Sequence, residues 1–78
     1  MKIDTLFDHL CDVCEPYYDA FDAANTQAEK DAALRPAIQK FWAKYGKHVT
    51  PAFLDVLEDE NYHTERRLII EIFKEKYH

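Results

Sequence analysis

Two cysteines three positions apart are the residues of this chain that most directly suggest chemistry. Cys11 and Cys14 have a spacing that zinc sites use, and the four histidines of the chain offer further ligands. Zinc-binding cysteines usually lie on a tight turn, however, whereas this pair continues an apolar stripe at helical spacing. We therefore expect reduced thiols with no metal role, Cys14 pointing inward and Cys11 lying at the boundary. A metal or redox protein that uses the pair is an alternative interpretation.

The remaining residue types give little support to catalysis. The chain has no serine, and its single glycine, Gly46, cannot form a phosphate-binding loop. Glu60 and His63 form one Glu-x-x-His motif, whereas a di-iron bundle needs this motif twice together with two more carboxylates. We therefore expect no enzyme activity and no cofactor.

An acidic helix face is the strongest functional signal in the sequence. At about 100° per residue, six acids of the first 22 residues fall within an arc of roughly 80°, opposite the apolar stripe. Each like-charged neighbour on a helix costs about 0.2–0.5 kcal/mol, so the arrangement opposes folding and suggests a use. We call this set the acidic face; its members are Asp4, Asp8, Asp12, Glu15, Asp19 and Asp22.

The acidic face predicts binding to a basic surface on another protein. Its acids are spaced by about 5 Å along the helix, compared with about 3.4 Å between charges on one DNA strand. We expect a regulator or inhibitor whose partner is a nucleic-acid-binding protein, with mimicry of nucleic-acid phosphates as one mode of binding. Other candidate partner-binding residues are a tyrosine beside the face and an acidic run further along the chain, namely Tyr18, Asp55, Glu58 and Asp59.

Two other interpretations of the acidic face stay open. It can be a solvated surface that keeps the protein dissolved, or it can pair with residues 30–47, which carry five bases and one acid. If the two segments of opposite charge belong to different copies, the chain is a helical oligomerising adaptor or subunit.

Overall composition narrows the classes of partner. The chain has 78 residues and a net charge of −5, which disfavours direct binding to nucleic acid or to an anionic membrane. Arg66 and Arg67 could begin a recognition helix, but the acids around them would meet the phosphates. We expect no signal peptide and no membrane span, and therefore a cytoplasmic protein.

Capping signals and apolar periodicity predict the elements that carry these residues. We expect a first helix from Asp4 to Ala24, capped by Asp4 or Thr5 and kinked rather than ended at Pro16, because its apolar stripe keeps its phase. A second helix begins near Gln27 after the capping box of Thr26 and Glu29, and Gly46 is expected as its C-terminal cap.

The second half of the chain gives two further helices. Thr50 and Pro51 begin the third helix, residues 58–61 hold a turn, and Thr64 is expected to cap the last helix. The buried stripe predicted for that last helix is Leu68, Ile69, Ile72, Phe73 and Tyr77. Together these elements predict one all-α domain over residues 1–78, a compact bundle of four helices, or five if Pro16 or Pro36 breaks one.

Overall fold

The computed structural model describes residues 1–77, with side chains for residues 1–76, and all regular structure in this range is helical. The α-helices are, in chain order, α1 (Ile3–Cys14), α2 (Tyr18–Ala23), α3 (Gln27–Tyr45), α4 (Pro51–Asp59) and α5 (His63–Tyr77). Short 3-10 turns cover Glu15–Tyr17 and Gly46–His48. The predicted all-α bundle is confirmed, and no strand occurs in the part of the chain that the structure describes.

Pro16 changes the type of helix without creating a loop. Proline has no N–H for the carbonyl of Asp12, and its ring crowds the preceding turn. The backbone therefore tightens into a 3-10 turn, in which the N–H of Tyr18 donates to the carbonyl of Glu15. Helical dihedrals continue from α1 into α2, although the α-helical pattern itself is interrupted. At the start of α1, the predicted cap is wrong, because the helix begins at Ile3 with no side-chain cap.

α3 is the central helix of the bundle, since it packs against α1, α2 and α5. Thr26 caps it as predicted, with its Oγ1 accepting from the N–H of Glu29 at 3.1 Å. The Glu29 carboxylate reaches back to the N–H of Asn25 at 2.9 Å. Pro36 lies inside α3 without ending it, because Pro36 and Ala32 are both exposed and water can satisfy the carbonyl that loses its donor.

Helix α4 ends in a Schellman motif, a hydrogen-bonded helix terminus in which one residue has left-handed backbone angles. Asn61 is that residue, with φ of 63°. The N–H of Tyr62 donates to the carbonyl of Leu57 at 2.8 Å, and that of Asn61 to Glu58 at 3.1 Å. The turn predicted within residues 58–61 is confirmed. The cap predicted at Thr64 is wrong, because α5 already includes His63 and Thr64.

Thr50 and Pro51 begin α4 as the sequence predicts. The Thr50 hydroxyl accepts from the N–H of Phe53 at 3.2 Å, and Pro51 occupies the first turn, where its missing N–H costs nothing. Gly46 is the C-terminal cap of α3, as predicted. Its φ of −55° is right-handed, not left-handed, and Gly46 begins the second 3-10 turn.

The core is one continuous cluster to which α1, α3, α4 and α5 contribute. Its members are Leu6, Leu10, Cys14, Leu34, Ala37, Ile38, Phe41, Trp42, Phe53, Leu57, Leu68, Ile69 and Ile72. The predicted burial of Phe73 is wrong: it is 48% exposed and lies edge-on to Trp42 at the rim of the core, with ring centroids 5.6 Å apart. The predicted burial of Tyr77 concerns a side chain outside the described residues.

Candidate partner-binding surface and the adjoining pocket

All six members of the acidic face are exposed along α1, the Pro16 turn and α2. Within the described side chains, none of the six forms an ion pair or a side-chain hydrogen bond. No basic side chain of the described residues therefore neutralises these carboxylates by direct contact. No ion pair of the described residues supports the interpretation that it is neutralised by the bases of residues 30–47.

The Pro16 turn rotates the second part of the acidic face relative to the first. A 3-10 helix advances about 120° per residue, so three such residues add roughly 60° to the phase of an ideal α-helix. Asp19 and Asp22 on α2 are turned by about that amount from the line of Asp4, Asp8 and Asp12 on α1. The face is thus broader than the arc of roughly 80° that an uninterrupted helix would give.

Lysines of α3 border the acidic face but contact aromatic groups instead of its acids. Lys30 Nζ lies 3.2 Å from the carbonyl oxygen of Phe21 and 4.5 Å from the centroid of its ring. Lys40 Nζ lies 5.2 Å from the ring centroid of Tyr17. Because these contacts hold α2 and the Pro16 turn on α3 through rings and a carbonyl, they leave the carboxylates of the face available.

The second acidic run is exposed on α4 but is not joined to the acidic face. Asp55, Glu58 and Asp59 are all exposed, and no hydrogen bond or ion pair among the described side chains connects them with the first six acids. Glu58 is drawn towards α5, where its Oε2 lies 3.5 Å from Arg66 Nε. The structure therefore does not bring the ten predicted residues together into one contact network.

Tyr18 lies beneath the acidic face, not on it. Its side chain is half-buried against the core. Burial, followed by the nearby Cys14 and Glu65, raises the pKa of its phenol well above the ordinary range. Tyr18 forms part of the wall of a pocket of about 620 Å³ between α2, the start of α3 and the start of α5. Asp22 of the acidic face lies in the lining of the same pocket.

Glu65 is the most unusual residue of this pocket, and the sequence interpretation missed it. It is only 5% exposed, the one charged residue in the buried set. Burial raises the pKa of its carboxyl, while its own backbone N–H works in the opposite direction. The sequence does contain a signal for its burial, because Glu65 precedes Leu68, Ile69 and Ile72 at the spacing of the buried stripe.

The two cysteines lie behind the pocket and differ in environment. Cys14 is fully buried, and desolvation raises the pKa of its thiol to about 12. Cys11 is half-buried, its pKa is raised chiefly by burial, and it has a hydrogen-bonding contact with Tyr62 that partly offsets the rise. Both are free thiols. No group of three His, Cys, Asp or Glu side chains in the described residues could hold a metal ion.

The arginines of α5 are engaged in pairs with acids and a carbonyl. Arg67 bridges Asp31 and Glu71, and Arg35 lies 2.6 Å from Glu71. Burial alone would raise the pKa of Asp31, but hydrogen bonds from Arg67 and Gln27 hold it below its ordinary value. Arg66 Nε donates to the carbonyl of Leu54 at 3.2 Å. These contacts stabilise the packing of α5 on α3 and α4, which is a structural use of the two arginines.

Comparison of the chain with known protein families, with curated proteins and with solved structures finds no match in any of the three. None of the helices in the described part of the chain is both long and apolar enough to cross a bilayer.

Proposed function

We propose that the protein is a non-enzymatic regulator or inhibitor that binds a basic surface of another protein through its acidic face. The observation that carries the proposal is that six exposed carboxylates are free of ion pairs although lysines lie on the neighbouring helix. Like charges held together without compensation cost stability, and a complementary partner surface turns that cost into attraction.

A basic surface of this extent is typical of proteins that bind nucleic acid. The acids of α1 and α2 are spread over about 27 Å, comparable with several phosphates of one nucleic-acid strand. We therefore infer that the partner is a nucleic-acid-binding protein and that the acidic face occupies its phosphate-binding surface. The two free thiols suit a compartment that keeps cysteines reduced, such as the cytoplasm.

Charge-neutral variants of the acidic face test this proposal. Partners are captured from lysate on the immobilised protein at low and high salt and identified by mass spectrometry. Changing Asp8, Asp12 and Asp19 to Asn should weaken capture at low salt at least tenfold and leave the fold intact.

The matched control removes the same charge from the second acidic run, which is not in contact with the acidic face. It changes Asp55→Asn and Asp59→Asn on α4 and Glu60→Gln directly after it, all exposed and free of ion pairs in the described residues. Capture by this control should stay within about threefold of the parent. Equal losses in the two triple variants would show that only net charge matters and would overturn the assignment to the acidic face.

A second candidate function is an oligomerising adaptor, which a basic concavity at the other end of α3 favours. A pocket of about 410 Å³ is lined by three lysines, Lys44, Lys47 and Lys76, beside Trp42 and Gly46. The acidic face of one copy is complementary in charge to this basic pocket of another copy. Native mass at low and high salt decides between the two functions, because only the adaptor gives salt-sensitive oligomers without a partner.

A further inference from the structure

We propose that the pocket beside the acidic face binds a positively charged organic group, a guanidinium or an ammonium, with Glu65 as its counter-ion. The occupant that we propose is an arginine side chain of the basic partner, and only this choice of occupant rests on the proposed function. A small free amine has the same chemistry and is the alternative occupant in the test.

Glu65 is a buried carboxylate without a partner side chain. The residue is only 5% exposed, and its carboxylate makes no hydrogen bond to another residue in the described part of the chain. Every side-chain oxygen of the buried and half-buried described residues either has a hydrogen bond or is in contact with solvent. The only hydrogen bond of the carboxylate among the described residues is from its own backbone N–H, so at least one of its oxygens opens onto the pocket that the residue lines.

The charge of the pocket lining favours a cation. The described lining contains two carboxylates, Asp22 and Glu65, and no lysine or arginine. A buried carboxylate without an opposite charge is costly, and a bound cation would relieve that cost. Anionic ligands are disfavoured, and metal ions lack the ligand set, because no three suitable side chains cluster in the described residues.

The walls of the pocket are rich in aromatic side chains. Tyr18, Phe21 and Tyr62 line it together with Glu65. Aromatic side chains attract organic cations through the negative faces of their rings, and desolvation strengthens the effect. The protein already uses this chemistry on one of these rings, since the Nζ of Lys30, which does not line the pocket, lies 4.5 Å from the ring centroid of Phe21.

The pocket adjoins the acidic face. Asp22 belongs both to the acidic face and to the pocket lining, so the two features are continuous on the surface of α2. Two further lining residues are bonded to each other, since Gln27 Nε2 donates to Thr64 Oγ1 at 3.3 Å, which ties the starts of α3 and α5 together. A partner arginine that enters here would anchor a complex whose wider contact is the charge on α1 and α2.

The test uses N-acetylarginine N-methylamide as the probe and follows backbone amide shifts of the protein by NMR. We expect saturable shifts centred on α2 and the start of α5, with a dissociation constant on the order of millimolar. N-acetylcitrulline N-methylamide is the neutral isostere of the probe and should bind at least tenfold more weakly. Equal binding of the two, or shifts that do not saturate, would overturn the proposal without any mutation.

Variants then assign the site within the protein. Glu65→Gln should weaken binding of the arginine probe at least tenfold, whereas Glu60→Gln should leave it within twofold, because Glu60 is exposed and does not line the pocket. Unchanged binding by Glu65→Gln would overturn the assignment. The triple variant of Asp8, Asp12 and Asp19 should bind the probe as tightly as the parent does. Probe binding therefore tests the pocket, whereas partner capture by this variant tests the proposed function, and either proposal can fail without the other.

Putrescine in a parallel titration distinguishes the source of the cation. Tighter binding of the arginine probe supports a partner side chain. Tighter binding of putrescine would overturn that choice and assign the pocket to small amines, and saturable binding of neither would overturn the site itself.

Discussion

Gly46 lies directly against the indole ring of Trp42. A Cβ atom added at Gly46 would come 2.8 Å from both Cδ2 and Cε2 of that ring. The φ of Gly46 is −55°, which any residue can adopt, so the position needs glycine for space and not for backbone freedom. The ring cannot easily move away, because Trp42 is 5% exposed and packs edge-on against Phe73.

Gly46→Ala should therefore destabilise the protein. Overpacking typically costs about 1–3 kcal/mol, and the better helix propensity of alanine returns at most ~1 kcal/mol. Urea unfolding should show a net loss of about 1–2 kcal/mol, while Lys47→Ala in the same exposed turn should stay within about 0.5 kcal/mol of the parent. A Gly46→Ala variant as stable as the parent would mean that the indole shifts without cost.

Glu65 predicts a specific pH dependence of stability. Burial raises the pKa of its carboxyl in the folded state, so the folded protein binds this proton more tightly than the unfolded chain. Its contribution is fully present below the unfolded pKa of about 4.3 and is lost as pH rises through the folded pKa. The other ionisable groups around Glu65 are Cys11, Cys14, Tyr18 and Tyr62, and Asp22 and His63 also line the pocket.

Glu65→Gln should therefore be at least as stable as the parent at pH 7. The difference in unfolding free energy between this variant and the parent should grow as pH rises from 4 to 7, measured by urea unfolding. Glu60→Gln on the exposed connection is the control, and its unfolding free energy should stay within about 0.5 kcal/mol of the parent. A difference for Glu65→Gln that shrinks with rising pH would show that the buried carboxylate is stabilised by a contact we have not identified.

The cysteines should differ in reactivity because of their burial. Cys14 is fully buried with a thiol pKa of about 12, whereas Cys11 is half-buried, so the thiolate of Cys14 is both rarer and less accessible. With iodoacetamide at pH 8, followed by peptide mass spectrometry, Cys11 should be alkylated at least tenfold faster than Cys14. Comparable rates on folded protein would indicate opening of the α1 packing, and equal rates in urea provide the control.

Pro16→Ala should separate stability from binding. Alanine restores the hydrogen bond to the carbonyl of Asp12 and removes the ring, so α1 should continue as an α-helix into α2. Helicity measured by circular dichroism should rise, while Asp19 and Asp22 rotate back by about 60° relative to α1. If the shape of the acidic face matters, capture of the partner should weaken severalfold although the helix is more regular.

Pro36→Ala is the matched control for this experiment. Pro36 lies inside a helix that is already continuous, so its replacement changes no phase between acids. Binding by this variant should equal that of the parent. If Pro16→Ala also binds like the parent, the charge of the acidic face is sufficient and its arrangement across the turn is irrelevant.

Short-range signals in the sequence determined most of the helical architecture. The hydroxyls of Thr26 and Thr50 bond to amides three residues away, and apolar residues recur at the helical period, so both can be recognised without knowledge of the fold. The acidic face belongs to the same class, because its exposure follows from the opposite apolar stripe.

Only the tertiary structure decided where residues at the margins of a stripe lie. Phe73 is in phase with the core of α5 but is 48% exposed, because it lies at the rim of the core, edge-on to Trp42. Glu65 is in the same stripe and buried, because α2 and the α4–α5 turn close around the start of α5. The space at Gly46 likewise depends on Trp42. Such environments arise from the positions at which helices meet, which periodicity within a single helix does not specify.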